Sequence, residues 1–275
     1  MIGHEKIIAD LQGLHERGVL SHGYIFHGPA MVGKKLAALS FANLLEKGEF
    51  GEDGILSDLM LVAPGGPGAG SIGIDAVREI RNFLWQKPNA SVRRTLVIDD
   101  AELLTTEAQN ALLKVTEEPP VSSLLILVTS DAESILPTIV SRLPKIYFGS
   151  VPEKEIAKWL GEDGAAKDTK DIASRAMGKP GLAWRLLYDK DFQKQLELAA
   201  RLLKTPAATR RDVIKKIIEP DAFNFRKFLD AVIINLAWEG AAKNKVALWH
   251  KALQLYDRET NFSLNPRLQL ENLLL

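Results

Sequence analysis

Near the N-terminus, Gly28-Pro-Ala-Met-Val-Gly33-Lys34-Lys35 has the residue types and spacing to hold a phosphate. Two glycines flank four residues, and a lysine follows the second. The segment comes after an apolar run, Tyr24-Ile-Phe26, and opens a helical stretch from Lys34 to Leu45. In that context the loop and the helix N-terminus aim backbone N–H groups at an anion, and Lys34 neutralises phosphate charge. The complete motif ends in Ser or Thr, whose hydroxyl ligates magnesium. Here Lys35 stands in that place. A protonated lysine ligates no cation, so phosphate affinity should survive better than metal-dependent chemistry. The plain alternative is a glycine turn that holds no ligand.

A second feature is Thr95-Leu-Val-Ile98-Asp99-Asp100. An apolar strand ending in two acids puts carboxylates at the edge of a sheet where α/β ligands bind. The first acid would help hold magnesium, often through water. The second acid, in many hydrolytic proteins of this architecture, is a glutamate that polarises the attacking water. Asp100 is one methylene shorter, and about 1 Å of misplacement can cost roughly 100-fold in rate. A pair of solvated acids in a turn is the plain alternative. A third feature is Ile135-Leu-Pro-Thr-Ile-Val-Ser141-Arg142. An arginine projecting from the surface there could reach a neighbouring subunit and stabilise charge on a transferring phosphate. Otherwise it is a surface salt-bridging arginine.

Residues 1–149 alternate short β-rich runs with helical patterns. The runs are Tyr24–Phe26, Leu59–Val62, Thr95–Ile98, Leu124–Thr129 and Lys145–Phe148. Most are continuously apolar rather than alternating, which predicts parallel strands buried on both faces. Apolar stripes predict helices over 74–85 and 103–115. Thr106 and Gln109 have capping-box spacing, and Pro119-Pro120 ends the second helix. Gly65–Gly70 reads as a surface loop. Beyond residue 150 the strand signal disappears. Helices are expected from Val151, over 168–177 and over 181–189, with Pro180-Gly181 as a break. Residues 191–275 read as helical, punctuated at Thr205-Pro206, Glu219-Pro220 and Asn265-Pro266. The fold class is therefore α/β, a five-stranded parallel-sheet module (1–149) with a helical lid (150–190) and an all-α domain (191–275).

The chain has 275 residues, enough for about two domains. Lysine plus arginine (35) balances aspartate plus glutamate (35), which argues against a basic nucleic-acid coat over the whole surface. The basic pairs Arg93-Arg94 and Arg210-Arg211 read as solvated faces, and the five tryptophans as core or helix-packing residues. With no cysteine there is no disulfide, thiolate metal site or thiol nucleophile. The five scattered histidines predict no metal site. The first residues, Met1 to Gln12, carry charge and helical periodicity rather than a signal-peptide core, and no apolar run of membrane-spanning length follows. A cytoplasmic protein without a membrane partner is expected.

The sequence resembles the delta-prime subunits of bacterial DNA polymerase III clamp loaders, members of the AAA+ P-loop family. The resemblance lies in Ile2-Gly-His4, Ser21–Pro29, Ser57–Val62, Leu104–Pro120, Leu136–Arg142, Gly178–Ala183 and Asn265–Leu275. Ala108–Lys114 and Asn265–Leu268 are the most specific parts. It implies an AAA+ module, a lid and a C-terminal collar that serves oligomerisation. It implies one fixed place in a five-subunit ring with motor and delta subunits. That ring opens a sliding clamp and loads it on primed DNA. In that family the position of Arg142 supplies an arginine finger to the neighbouring motor's ATP site. Ser141-Arg142-Leu143 departs from the usual Ser-Arg-Cys only at the cysteine.

Three other departures bear on the chain's own site. Lys35 replaces the hydroxyl residue, Asp100 replaces a glutamate, and Gly181 stands where motors have the lid's sensor arginine. Thr129, with Ser130, keeps a hydroxyl at the first sensor position. The four-cysteine zinc module of many relatives is missing. The degenerate nucleotide site thus comprises Gly28, Gly33, Lys34, Lys35, Asp99, Asp100 and Thr129. No cofactor is required, although ATP or ADP with magnesium has a place to sit. The expected role is a non-hydrolysing subunit of a DNA polymerase III holoenzyme. The rival reading is an active AAA+ ATPase, either a motor-type loader subunit or a branch-migration-like motor.

Overall fold

Continuously apolar strands need cover on both faces, and the sheet has it. The computed structural model describes residues 1–51, 54–64, 71–162, 169–220, 223–239, 243–261 and 265–274. The Gly65–Gly70 segment lies outside them. Five parallel strands, β1 (Gly23–His27), β2 (Leu59–Val62), β3 (Arg94–Ile98), β4 (Ser123–Thr129) and β5 (Lys145–Tyr147), lie in the order β2-β3-β4-β1-β5. The register sets Ile25 beside Leu127 and Leu96 beside Leu125. Along β4 the apolar run divides between two cores. Leu125 and Leu127 join one, with α3 (Ile74–Leu84), α4 (Thr106–Glu117) and α5 (Pro137–Val140). Leu124, Ile126 and Val128 join the other, with α1 (Glu5–Glu16) and α2 (Lys34–Lys47). The strand's period of two is hidden in sequence because each side meets its own helix layer.

The predicted helix starts need three corrections. Helix α4 is capped by Thr105, whose hydroxyl accepts the Ala108 N–H at 3.2 Å, so Thr106 is not its cap. Gln109 does not reach back to complete a capping box. It is buried, donates to Leu104 O and Ser134 O, and accepts the Leu136 N–H at 2.7 Å. Helices α6 (Glu153–Glu162), α7 (Thr169–Arg175) and α8 (Pro180–Tyr188) follow β5, and Pro180 is the first residue of α8 rather than a break. The turn before it is made at Gly178, with φ of +75°.

Arg93 and Arg94 are not a solvated face. Arg93 donates to Ser21 O and Leu20 O, while Arg94 is buried over the Phe83 ring and donates to Lys87 O. Trp85 and Trp184 are not core residues, at 52% and 50% exposure.

Asp58 is the buried anchor of the turn that leads into β3. Its carboxylate accepts the N–H groups of Asn89, Ala90 and Ser91 at 2.7–2.9 Å, with Arg94 at 3.9 Å. Burial works to raise its pKa, but the three N–H bonds and the arginine hold it below the ordinary carboxylate value. A folded-state pKa below the unfolded one gives stability that is present above about pH 4 and lost as pH falls toward the folded value. Asp58→Asn should therefore cost about 2–3 kcal/mol at pH 7. The gap to wild type should shrink below about pH 4, as read by thermal melting across pH.

By internal contacts the chain divides into Met1–Ala183 and Trp184–Leu275. The second unit is helical: α9 (Lys190–Lys204), α10 (Ala207–Ile218), α11 (Phe225–Trp238), α12 (Lys243–Asn261) and α13 (Pro266–Leu274). Asp189 and Asn224 cap α9 and α11 by accepting the N–H groups of Phe192 and Lys227. Asn235 ties α11 to α9 through Leu196 O at 3.1 Å. Just before α13, Asn265 accepts the Leu268 N–H; within the helix Leu270, Leu273 and Leu274 are buried, and Leu268 is exposed. Arg210 donates to Thr205 O and Leu274 O, so this arginine also serves packing. Among the described residues no helix is long and apolar enough to cross a membrane.

Candidate functional site

The loop from Gly28 to Gly33 joins β1 to α2 at the C-terminal edge of the sheet. Gly28 has φ of +139°, and a Cβ on it would lie 2.1 Å from the Phe148 carbonyl oxygen. Only glycine lets the chain turn so close to the neighbouring backbone. Met31 adopts φ of +64°, and Gly33 caps α2 with φ of +104°. The loop's carbonyls are held from three directions. His4 Nε2 lies 2.9 Å from Val32 O, the Gly181 N–H donates to Met31 O at 2.9 Å, and Lys34 Nζ donates to Gly28 O and Pro29 O at 2.7 Å each.

Lys34 is buried. Burial pushes its pKa down, the charges of Glu102, Asp99 and Asp100 push it back up, and Lys179 adds to the lowering. Lys35 is half-exposed, and its Nζ lies 3.0 Å from Asp99 Oδ2. Asp99 is anchored by its own N–H to Val62 O at 2.8 Å. Asp100 turns the chain out of β3 in a left-handed conformation, φ of +48°. Thr129 is fully buried, and its hydroxyl bonds the Asp131 backbone, donating to its carbonyl and accepting its N–H. His27, at the end of β1, has its pKa lowered first by burial and then by the charges of Lys145 and Lys34.

The structure therefore brings Gly28, Gly33, Lys34, Lys35, Asp99 and Asp100 together, with Thr129 at the adjacent strand end. Two further residues went unassigned in sequence. His4 braces the loop from outside. Glu102 faces Lys34 and accepts from the Ser130 hydroxyl and N–H, while its Oε2 is buried without a hydrogen-bond partner. Neither has a sequence signal, because each acts through a partner about 28 residues away. The residue types of a phosphate site are present, a glycine loop, a helix N-terminus and a lysine, with the Lys34 ammonium bonded to the loop's own carbonyls. A metal does not fit the site, since the Asp99 carboxylate that would serve a cation is already paired with Lys35. Among the described residues no cluster of three His, Cys, Asp or Glu side chains stands ready for a metal.

Gly181 blocks another element of an intact site. A Cβ there would meet Met31 O at 3.0 Å and the Met31 Cβ and Cα at 3.2 and 3.3 Å. Gly181→Arg should displace the loop rather than add a phosphate contact. The expected loss is about 1–3 kcal/mol with no gain in ATP hydrolysis, read by melting temperature and phosphate release.

Arg142 lies elsewhere. It follows α5 and stands three residues before β5, beside the N-terminal ends of the strands, whereas the loop lies at their C-terminal ends. About 15 Å of strand separates the two edges. Its guanidinium donates to Thr138 O at 2.6 Å and to Glu117 Oε1 at 2.9 Å, with the side chain 35% exposed. An arginine in this place cannot serve the loop of its own chain.

A family model described as DNA polymerase III, delta subunit, matches residues 3–152. The delta-prime subunit of DNA polymerase III from Escherichia coli is 32% identical over 137 residues, 49% of this chain and 41% of that protein. The gamma/tau subunit from Mycobacterium tuberculosis is 31% identical over 172 residues, 58% of this chain and 30% of that protein. The chain thus spans less than half the length of these two relatives. Among solved structures, a gamma subunit-related protein of Thermotoga maritima covers 97% of both chains with a TM-score of 0.69 at 20% identity. The RuvB branch migration motor of the same organism covers 87% of this chain and 78% of its own, with a TM-score of 0.51 at 18% identity. Both likenesses speak for the fold alone, and that fold is the AAA+ sheet with a mostly helical C-terminal portion.

Proposed function

The chain belongs to the DNA polymerase III delta subunit family, among the clamp-loader proteins, and from that premise we propose that it is a non-hydrolysing AAA+ subunit of a bacterial clamp loader. It holds a fixed place in the ring with motor and delta subunits, helps open the sliding clamp and load it on primed DNA, and lends Arg142 to a neighbour's ATP site. The observation that carries the non-hydrolysing part is the 3.0 Å pair between Lys35 and Asp99. Hydrolysis in a P-loop site needs a metal on the loop hydroxyl and the strand-end acid, and a placed water. This chain has neither the hydroxyl nor a glutamate beside the acid, and the acid is occupied. The distance of Arg142 from its own loop supports action in trans.

Calorimetric titration of the purified chain with ATP and magnesium, followed by a hydrolysis assay on the same sample, tests the reading. Weak or absent binding with no turnover is expected. Steady magnesium-dependent turnover would make the chain an active motor and overturn the proposal.

A further inference from the structure

We propose that the Lys35 ammonium is a built-in counter-ion of Asp99 that closes the loop's cation position to magnesium. The inference rests on the non-hydrolysing reading of this site and adds the physical device behind it. The pair lies at 3.0 Å, with Asp99 at 16% side-chain exposure, so the carboxylate is shielded while Lys35 closes over it from the open side at 45%. Lys34 cannot take that role, because its ammonium is committed to Gly28 O and Pro29 O.

Charge accounting points the same way. The charges of Glu102, Asp99 and Asp100 act on Lys34 in one direction, and that of Lys179 acts in the other. Lys35 sets a positive charge directly on Asp99, the strand-end acid that a cation would need. An incoming magnesium would have to displace a tethered ammonium from Asp99, and would meet its repulsion if it stayed nearby. Magnesium also gives up its water reluctantly and wants a strict octahedron of oxygens. A lysine at position 35 removes one oxygen ligand and adds a positive charge. The loop's N–H groups and Lys34 are unaffected, so the site discriminates against the metal rather than against phosphate.

The test titrates ATP into wild type and into Lys35→Thr, once with EDTA and once with magnesium. In wild type, magnesium should not raise affinity by more than about twofold. In Lys35→Thr it should raise affinity by about tenfold or more. A tenfold gain in wild type would overturn the inference. If wild type binds ATP in neither buffer, the variant decides. Magnesium-dependent binding by Lys35→Thr supports the inference, and no binding overturns it, since something other than Lys35 then closes the site. Melting curves confirm that the variant folds, and Lys35→Ser replaces it if threonine disturbs the start of α2. ATP hydrolysis by wild type would sink the non-hydrolysing reading, whereas magnesium-dependent binding without hydrolysis would sink this inference alone.

Discussion

In the reconstituted clamp loader, Arg142→Ala should slow ATP hydrolysis at the neighbouring site by about a thousandfold, while the ring still assembles. A guanidinium delivered across an interface acts on charge that develops only in the transition state, so the loss should fall on kcat rather than on nucleotide affinity. The fold should tolerate the change. The Arg142–Glu117 pair is partly exposed, at 35% and 48%, and pairs of that kind contribute at most about 1 kcal/mol. Single-turnover hydrolysis reads the affected site as a slowed or missing phase, and size-exclusion chromatography reports assembly. Arg142→Lys keeps the charge but loses the planar fork, so it should recover only part of the rate. Unchanged turnover in Arg142→Ala would remove the finger role.

Gly28→Ala should be the most damaging single substitution in the loop, costing about 3–5 kcal/mol. Its φ of +139° is hostile to any side chain, and the added Cβ would sit 2.1 Å from the Phe148 carbonyl oxygen. That obstacle is backbone and cannot swing aside. Relief requires pulling Phe148 away from β1, which breaks its N–H bond to His27 O at 2.8 Å. It also disturbs a fully buried ring packed on Phe26 and His4. Gly33→Ala is the control. Gly33 also has a positive φ, +104°, but the nearest atom to its added Cβ is the Met1 sulfur at 3.9 Å. It should cost only about 1–2 kcal/mol. Urea unfolding of both variants measures the difference, and equal losses would show that the Phe148 contact is not what constrains Gly28.

Much of this was legible before the fold was known, for physical reasons. A strand covered on both faces must be apolar throughout, so runs such as Leu124–Val128 declare themselves. A phosphate loop needs glycines and a lysine at set offsets, so Gly28, Gly33 and Lys34 declare themselves too. What stayed hidden depends on partners distant in the chain. Arg93 looks like a solvated charge until Leu20 and Ser21 present their carbonyls across the sheet edge. The choice between Thr105 and Thr106 as cap turns on one residue's backbone angles, which two adjacent threonines do not reveal. The Lys35–Asp99 pair was half visible. The lysine's oddity is local, but its choice of counter-ion is set by the sheet order that puts β3 within reach of α2.

The bracing of the loop carries a last consequence. Met31 and Val32 are fastened to the segments around Gly181 and His4, and Gly28 is wedged against Phe148. The loop is thus a keystone where the N-terminal segment, the sheet and the segment around Gly181 lean on one another. Its residues divide into two groups with different freedoms. Position 35, whose half-exposed side chain meets only the Asp99 carboxylate, can change without disturbing the arch. Positions 28 and 181, where an added Cβ would strike neighbouring backbone, cannot. A loop braced in this way must keep its outline for the sake of the fold, whatever chemistry its side chains carry.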